Sequence, residues 1–444
     1  MVALKPEQFR YHSHFIEYFH ISTTCMLLYR IFLLLYPLAA RVAGIFNVKA
    51  RKWCQAQENA LADLEQWQPQ KPVIWMHCAS LGEFEQGLPV LEAIRRNYPD
   101  YEILLSFFSP SGFEPCQHHP IAEKVVYLPL DGPHTAKAWV KKVQPAMVLF
   151  IKYEFWYYYL HALRSSNIPV LLVSAVFREE QPFFQWYGGF YRKMLACYRH
   201  ILVQDAASAR QLQTVNTSIP VTIAGDSRFD RVLQIAAQPH SYPEIEEFIR
   251  DTNVFIAGST WPEDDKALQH FVNHTPGIRN IIVPHLIDAD SIEKCLQLYT
   301  NSITFSDYLK RAPEEKQNLP HHRTLIIDKM GMLSRLYRYA TIVYVGGGFG
   351  ADGIHNVLEA AVYGKPIVIG PIYEKFLEAV ELVAQNGLVS VASAIELEEK
   401  LQLLLKDAGI RATLGAKAQQ FTRSGGGAAE RVIQIIQENR LLTR

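Results

Sequence analysis

Short apolar runs alternate with longer amphipathic stretches through most of the chain. Runs at residues 72–78, 102–107, 124–128, 146–151, 170–173 and 200–203 have the length and the branched, aromatic content of strands. Between them, stretches such as 135–143 and 156–165 place their apolar residues at helical spacing. A second series follows at 254–257, 280–283, 324–327, 342–345 and 366–369. Strands alternating with helices predict parallel sheets with crossover helices. Gln238-Pro239-His240-Ser241-Tyr242-Pro243 separates the two series and reads as a linker. The expected fold is therefore α/β, with two Rossmann-like domains facing across a cleft, at 50–237 and 238–444. A helix is predicted at 428–439, and the pattern assigns it no packing partner.

The N-terminal part, residues 1–49, follows a different pattern. TCMLLYRIFLLLYPLAARVAGIF, residues 24–46, is apolar but broken by Arg30 and Arg41. The uncharged stretch between them falls short of the ~20 residues a bilayer crossing needs. The two arginines lie about three helical turns apart, on one side of a helix, with Tyr29 and Tyr36 near that side. A narrow polar stripe on an apolar helix predicts one lying in the membrane interface, kinked at Pro37. Lys49, Arg51 and Lys52 follow and suit anionic headgroups. The competing reading is a helix packed on the domain. A signal peptide would need a basic start and a small-residue cleavage site, and neither is evident.

Composition narrows the function. Lys+Arg and Asp+Glu both number 44, so no overall charge points to nucleic acid, and no nucleic-acid partner is expected. The 49% hydrophobic content supports sizeable cores. Cys25, Cys54, Cys78, Cys116, Cys197 and Cys295 contain no C-x-x-C pair, which suits reduced thiols and neither a disulfide framework nor zinc.

Candidate chemistry gathers where strands hand over to helices, the edge where parallel α/β sheets bind ligands. Glu83 stands there, in Ala79-Ser80-Leu81-Gly82-Glu83 after the first strand; it reads either as an ordinary first-turn acid or as a functional carboxylate. Glu154, in Tyr153-Glu154-Phe155-Trp156, repeats the placement, with the same two readings. In the second half, glycines 346, 347, 348, 350 and 353 follow a strand, and a helix is expected to start near His355. Free N–H groups there would favour an anion. Gly348-Phe349-Gly350-Ala351-Asp352-Gly353 fits G-x-G-x-x-G, but no suitably spaced acid follows for a dinucleotide ribose. Asn356 and Glu359 share a helix face, where a carboxylate could accept from ribose hydroxyls, or could be a plain exposed first-turn acid. Ser259-Thr260 and Pro284-His285 end two more strands with groups suited to phosphate. Asp288-Ala289-Asp290 fits D-x-D without a second anchor, so no metal or cofactor is expected.

Taken together, ASLGE (79–83), YEFW (153–156), GDSRFD (225–230), AGST (257–260) and GIHNVLEAAVYGKPIVIGP (353–371) resemble the 3-deoxy-D-manno-octulosonic acid (Kdo) transferases of lipopolysaccharide synthesis. The resemblance runs from about Met26 through nearly the whole chain; residues 1–25 lie outside it, and Met26 offers an alternative start. It implies a GT-B architecture with a membrane-associated N-terminal segment at the cytoplasmic face of the inner membrane, attached from one side, in contact with its lipids. It implies an inverting transfer of Kdo from CMP-Kdo to the lipid A precursor, lipid IVA. Glu83 matches the general base, and Glu154 a carboxylate assigned to transition-state stabilisation. Arg228 stands where many relatives have a lysine with that same assignment. Ser259 and Thr260 lie in the phosphate-suited AGST stretch. Pro284, His285, Met330, Gly331, Met332, Asn356, Val357, Leu358 and Glu359 match CMP-contacting segments. Many relatives have Arg at His285 and Glu at Met332. Two other readings stay open: a GT-B transferase or epimerase using a UDP-sugar, and a two-lobed binding protein without chemistry.

Overall fold

The computed structural model describes residues 6–65, 67–215, 218–312 and 322–442, with side chains from residue 24 on, Glu65 excepted. Residues 1–5 of the expected N-terminal segment thus lie outside it. The chain divides into two compact units, 1–231 with 427–444, and 232–426.

In the first unit the strands are β1 Val73–Cys78, β2 Glu102–Phe107, β3 Lys124–Tyr127, β4 Met147–Ile151, β5 Val170–Ala175, β6 His200–Val203 and β7 Val221–Ile223. They form one seven-stranded sheet in the order β3-β2-β1-β4-β5-β6-β7. Every pairing is parallel. Every residue of β1 is buried, because helices cover both faces; that is why the strand reads as a continuous apolar run. Alternation sends Val73 and Trp75 into one core and Ile74, Met76 and Cys78 into the other. The strand order reverses between β1 and β4, which makes their carboxyl ends the switch point of the sheet.

The second unit holds β8 Asn253–Thr260, β9 Ile278–Pro284, β10 Ser302–Thr304, β11 Thr324–Ile326, β12 Ile342–Val345, β13 Ile367–Ile369 and β14 Val389–Ser390. Their order is β10-β11-β9-β8-β12-β13-β14, again parallel throughout. The strands that the apolar runs did not reveal are β7, β10 and β14. Each is two or three residues long and lies at a sheet edge, where little burial is needed to hold it.

The expected run 238–444 ends at Gly426 in the structure, since residues 427–444 belong to the first unit. The helix Ala428–Glu438 buries Val432, Ile433, Ile435 and Ile436 in the core beside Leu88 and Leu91 of the helix Leu81–Asn97. Asp230 accepts from the amides of Gly427 (2.6 Å) and Ala429 (2.9 Å) and so fixes the start of that helix. An amphipathic stripe announces a buried face but not what covers it.

The N-terminal helix Pro6–Ala43 continues through Pro37. Its Tyr29 side packs on the first unit: the Tyr29 hydroxyl donates to Asp131 (2.6 Å), whose carboxylate also accepts from the amides of Tyr158 (2.9 Å) and Tyr159 (3.0 Å). Arg30 donates to the Tyr158 hydroxyl (2.9 Å). Leu27, Leu28, Ile31, Leu34, Leu35 and Leu38 remain exposed, Leu34 at 77%. By length and composition Thr24–Ala43 is also sufficient to cross a membrane. Tyr29→Phe removes one donor from a buried carboxylate and should cost about 1–3 kcal/mol in a urea melt in detergent. An unchanged midpoint would show that this bond does not hold the helix to the domain.

Candidate active site

Glu83 occupies the first turn of the helix Leu81–Asn97, which follows β1 after the turn Ala79-Ser80. Ser80 stands at the helix N-cap but makes no capping bond to the backbone; its hydroxyl instead donates to Glu83 Oε2 (2.7 Å). The half-buried Glu83 is therefore steered by a side chain.

Glu154 follows β4, the neighbour of β1, after Lys152 turns the chain through a positive φ of 73°. It is 3% exposed. Its Oε2 accepts from Trp156 Nε1 (2.5 Å) and lies 3.2 Å from His77 Nε2. His77 is itself fully buried, and its Nδ1 meets the Ser106 hydroxyl at 2.8 Å. The Tyr198 hydroxyl donates to the Glu154 carbonyl. Burial pushes the Cys78 thiol well up, and Glu83 and then Glu154 push it further, so both carboxylates sit near the end of β1. Arg228 is clamped by Asp226, through Nε (2.7 Å) and Nη2 (2.6 Å). Asp226 also accepts from Gln86, on the Glu83 helix (3.0 Å). Through Asp226, Arg228 is tied to the helix that carries Glu83.

In the second unit the expected residues gather at the carboxyl ends of β8, β9, β11 and β12, which are adjacent in the sheet. Two expectations need correcting here. The helix after the glycines starts at Leu358 rather than near His355, with Val357 at its N-cap and Asn356 Oδ1, one residue earlier, accepting from the Leu358 amide (3.1 Å). The glycine amides are also largely engaged. Gly346 N donates to Gly258 O (2.9 Å), Gly350 N to Gly347 O (3.0 Å) and Gly347 N to Asp264 Oδ2 (2.7 Å). Asp264 is 0% exposed and also accepts from the Tyr344 hydroxyl (2.6 Å) and the Trp261 amide (2.9 Å). An internal carboxylate thus takes amides that the sequence offered to a ligand.

Asn356 Nδ2 donates to Glu359 Oε1 (3.3 Å), so these two do meet. Ser259 has a positive φ of 54° at the β8 end, and Gly331 one of 81° after β11. Met330 is 74% exposed. The side chains of Thr260, Pro284, Met332, Val357 and Leu358 are buried, which leaves these positions mainly backbone to offer. His285 is exposed and stacks on Trp261 (4.6 Å between centroids) and on His355 (4.4 Å). Trp261 Nε1 donates to His355 Nε2 (3.0 Å). Beside these rings lies a cavity of about 460 Å³ lined by Thr260, Trp261, Pro284, Leu286 and Lys294. A larger one, about 810 Å³, lies in the first unit by Lys137 and His161 and includes none of the expected residues. Asp288 caps the helix Ala289–Leu298 by accepting from Ser291, and among the described residues no three acids, histidines or cysteines group as a metal site requires.

Sequence reasoning missed His77, Asp226, Trp261, Asp264 and His355. His77 carried a signal, a polar ring inside an apolar strand. Asp264 carried none, because first-turn acids are common at helix starts.

The family model for 3-deoxy-D-manno-octulosonic-acid transferase (kdotransferase) matches residues 53–231. A 3-deoxy-D-manno-octulosonic acid transferase of Haemophilus influenzae is 25% identical over 381 residues, covering 82% of this chain and 86% of that protein. The one of Aquifex aeolicus is 26% identical over 351 residues, covering 76% and 86%. Residues 53–231 thus match the Kdo transferase family model, and the chain is similar to Kdo transferases over most of its length. This similarity supports a glycosyltransferase of lipopolysaccharide synthesis. Its fold is shared with the UDP-GlcNAc 2-epimerase of Neisseria meningitidis, solved bound to UDP-GlcNAc (TM-score 0.58, 14% identity, 82% of this chain and all, 100%, of that one). A putative UDP-N-acetylglucosamine 2-epimerase from Listeria monocytogenes is equally similar (0.59, 13%, 84% and 98%). At such identity the likeness establishes the GT-B-like fold and nothing about substrates.

Asp264 generates a test within this family site. Asp264→Ala takes the acceptor from four donors, of which the Tyr344 hydroxyl and the Gly347 amide are buried and worth about 1–3 kcal/mol each. The urea midpoint should fall clearly. A variant as stable as the parent would show that the glycine turn holds itself.

Proposed function

We propose that the protein transfers Kdo from CMP-Kdo to a lipid A precursor, with inversion. What supports this reading is the placement of Glu83 and Glu154 just after the adjacent strands β1 and β4, at the switch point of the sheet, within the segment that matches the Kdo transferase model. Glu83 takes the proton of the acceptor hydroxyl as its oxygen bonds to the anomeric carbon. The bond from that carbon to the phosphate oxygen breaks, and CMP leaves with the electron pair. A single displacement of this kind inverts the anomeric centre. Ser80 holds Glu83 in place, and carboxylates of this type give about 10²–10⁴-fold by general base catalysis. Glu154 is nearly buried, and it and Arg228, held by Asp226, set the charge around the reacting hydroxyl. In the second unit Ser259, His285, Gly331, Asn356 and Glu359 offer polar groups to CMP, with Glu359 accepting from the ribose. Backbone at Thr260, Pro284, Met332, Val357 and Leu358, and the exposed Met330, complete that site.

Membrane attachment follows from the helix that carries an exposed apolar flank on one side and Tyr29 and Arg30 bound to the domain on the other. A helix tied along one side to a water-soluble fold is suited to lying in the cytoplasmic leaflet, and its arginines oppose a crossing at about 2.5–3.5 kcal/mol each near the bilayer centre. The lipid acceptor is met at that surface.

Glu83→Gln should lower turnover of CMP-Kdo by about 10²–10⁴-fold while CMP binding, measured by calorimetry, holds. Near-normal turnover in a folded variant returns Glu83 to the helix-turn reading. Glu359→Ala should weaken CMP by about 1.5–3 kcal/mol. The parent should in addition prefer CMP to its dideoxyribose analogue, and equal affinity for the two removes the ribose contact.

A further inference from the structure

The rings at the β8 and β9 ends form an arrangement that the proposed chemistry has not used. The 3.0 Å bond between Trp261 Nε1 and His355 Nε2 joins these two rings edge to edge, and His285 lies across both at 22° to each. Trp261 offers only a donor there, so His355 Nε2 is the acceptor and the proton of a neutral ring sits on Nδ1. Protonating Nε2 would set two donors against each other, and burial, with His285 beside it, already pushes His355 down to about 4. His285 carries no such constraint. It is the ring of the three that can take a proton, and burial alone lowers it below the usual histidine range.

Among the described residues no acid forms an ion pair with His285, and desolvation is what shifts it. Asp264 is engaged by Gly347, Tyr344 and Trp261, Asp265 by the Tyr299 hydroxyl (2.8 Å), and Asp288 by Ser291 (2.8 Å). Glu263 and Lys266 on the helix Pro262–His274, Asp290 on the helix Ala289–Leu298, and Asp352 on the glycine loop, are exposed to solvent. Beneath His285 lies an indole face, which favours a cation laid over it.

We infer that His285, lying across the Trp261–His355 plane, takes up a proton as it binds the phosphate of the nucleotide, so that donor binding is coupled to pH. This rests on the CMP reading of the second unit. The phosphate supplies the missing counter-charge, and an opposite charge at contact distance raises a histidine by about 1–3 units. Free His285 is neutral above its lowered value; bound, it is charged up to its raised value. Affinity therefore rises as pH falls between these limits and levels off below the lower one.

The test is calorimetry of CMP and of cytidine with the full-length protein, His285→Gln and His285→Arg, at pH 6 and pH 8. The titration of CMP itself is common to all three proteins and cancels between them. The parent should gain several-fold more CMP affinity than His285→Gln on going from pH 8 to pH 6, at least about threefold. Cytidine should show no such difference. Buffers of differing ionisation heat should reveal proton uptake by the parent that His285→Gln lacks. His285→Arg, with a fixed charge, should bind CMP tightly at both pH values. Equal pH dependence in parent and His285→Gln, or parent-like dependence in His285→Arg, overturns the coupling while leaving CMP as ligand. Absence of CMP binding by all three proteins at both pH values overturns the CMP reading itself, and the coupling with it.

Discussion

A carboxylate withdrawn from water must find its hydrogen bonds inside the protein, and both units are organised around that requirement at the carboxyl ends of their strands. Asp264 meets it by collecting Gly347, Tyr344 and Trp261, which fastens the glycine turn onto β8 and sets the indole that carries His285. Asp131 meets it with Tyr29, Tyr158 and Tyr159, which fastens the N-terminal helix to the first unit. Glu154 does so with Trp156, with His77 Nε2 3.2 Å away, and Asp226 with Gln86 and Arg228. The energetic asymmetry is what gives these bonds their authority. Each adds modestly when made, but leaving such a buried group unpaired costs about 1–3 kcal/mol.

The same constraint sorts the polar residues by role. Asp131 and Asp264 are committed to holding elements in place, whereas Glu83 and Glu359 keep part of their surface at a sheet edge. Parallel sheets supply that edge, because successive strands all end on the same side and the order reverses beside the first strand. In the first unit the reversal brings Glu83 and Glu154 to neighbouring strand ends. In the second it brings Ser259, His285 and Asn356 to one edge, with the ring stack among them.

Much of this was legible in the sequence, for stated reasons. Strands buried on both faces read as unbroken apolar runs, so β1, β4 and β12 could be placed, and with them the turns that carry Glu83, Glu154 and the glycines. Edge strands such as β7 bury too little to leave a pattern. The helix Ala428–Glu438 showed its apolar stripe, but its partner lies more than 300 residues away in sequence at the helix Leu81–Asn97, and no local pattern encodes that distance. The glycine turn misled because glycine count reports backbone freedom and not whether the amides are taken; Asp264 decides that, and it resembles any first-turn acid. His77 and His355 are single polar rings whose meaning comes from what the fold sets beside them.

The account stands or falls on the sugar that moves. Incubating the full-length protein with CMP-Kdo and the lipid A precursor, and weighing the lipid by mass spectrometry, tests it most directly. The prediction is a lipid heavier by Kdo, with CMP released. An unchanged lipid and intact CMP-Kdo, alongside conversion of a UDP-sugar to its epimer, would contradict it.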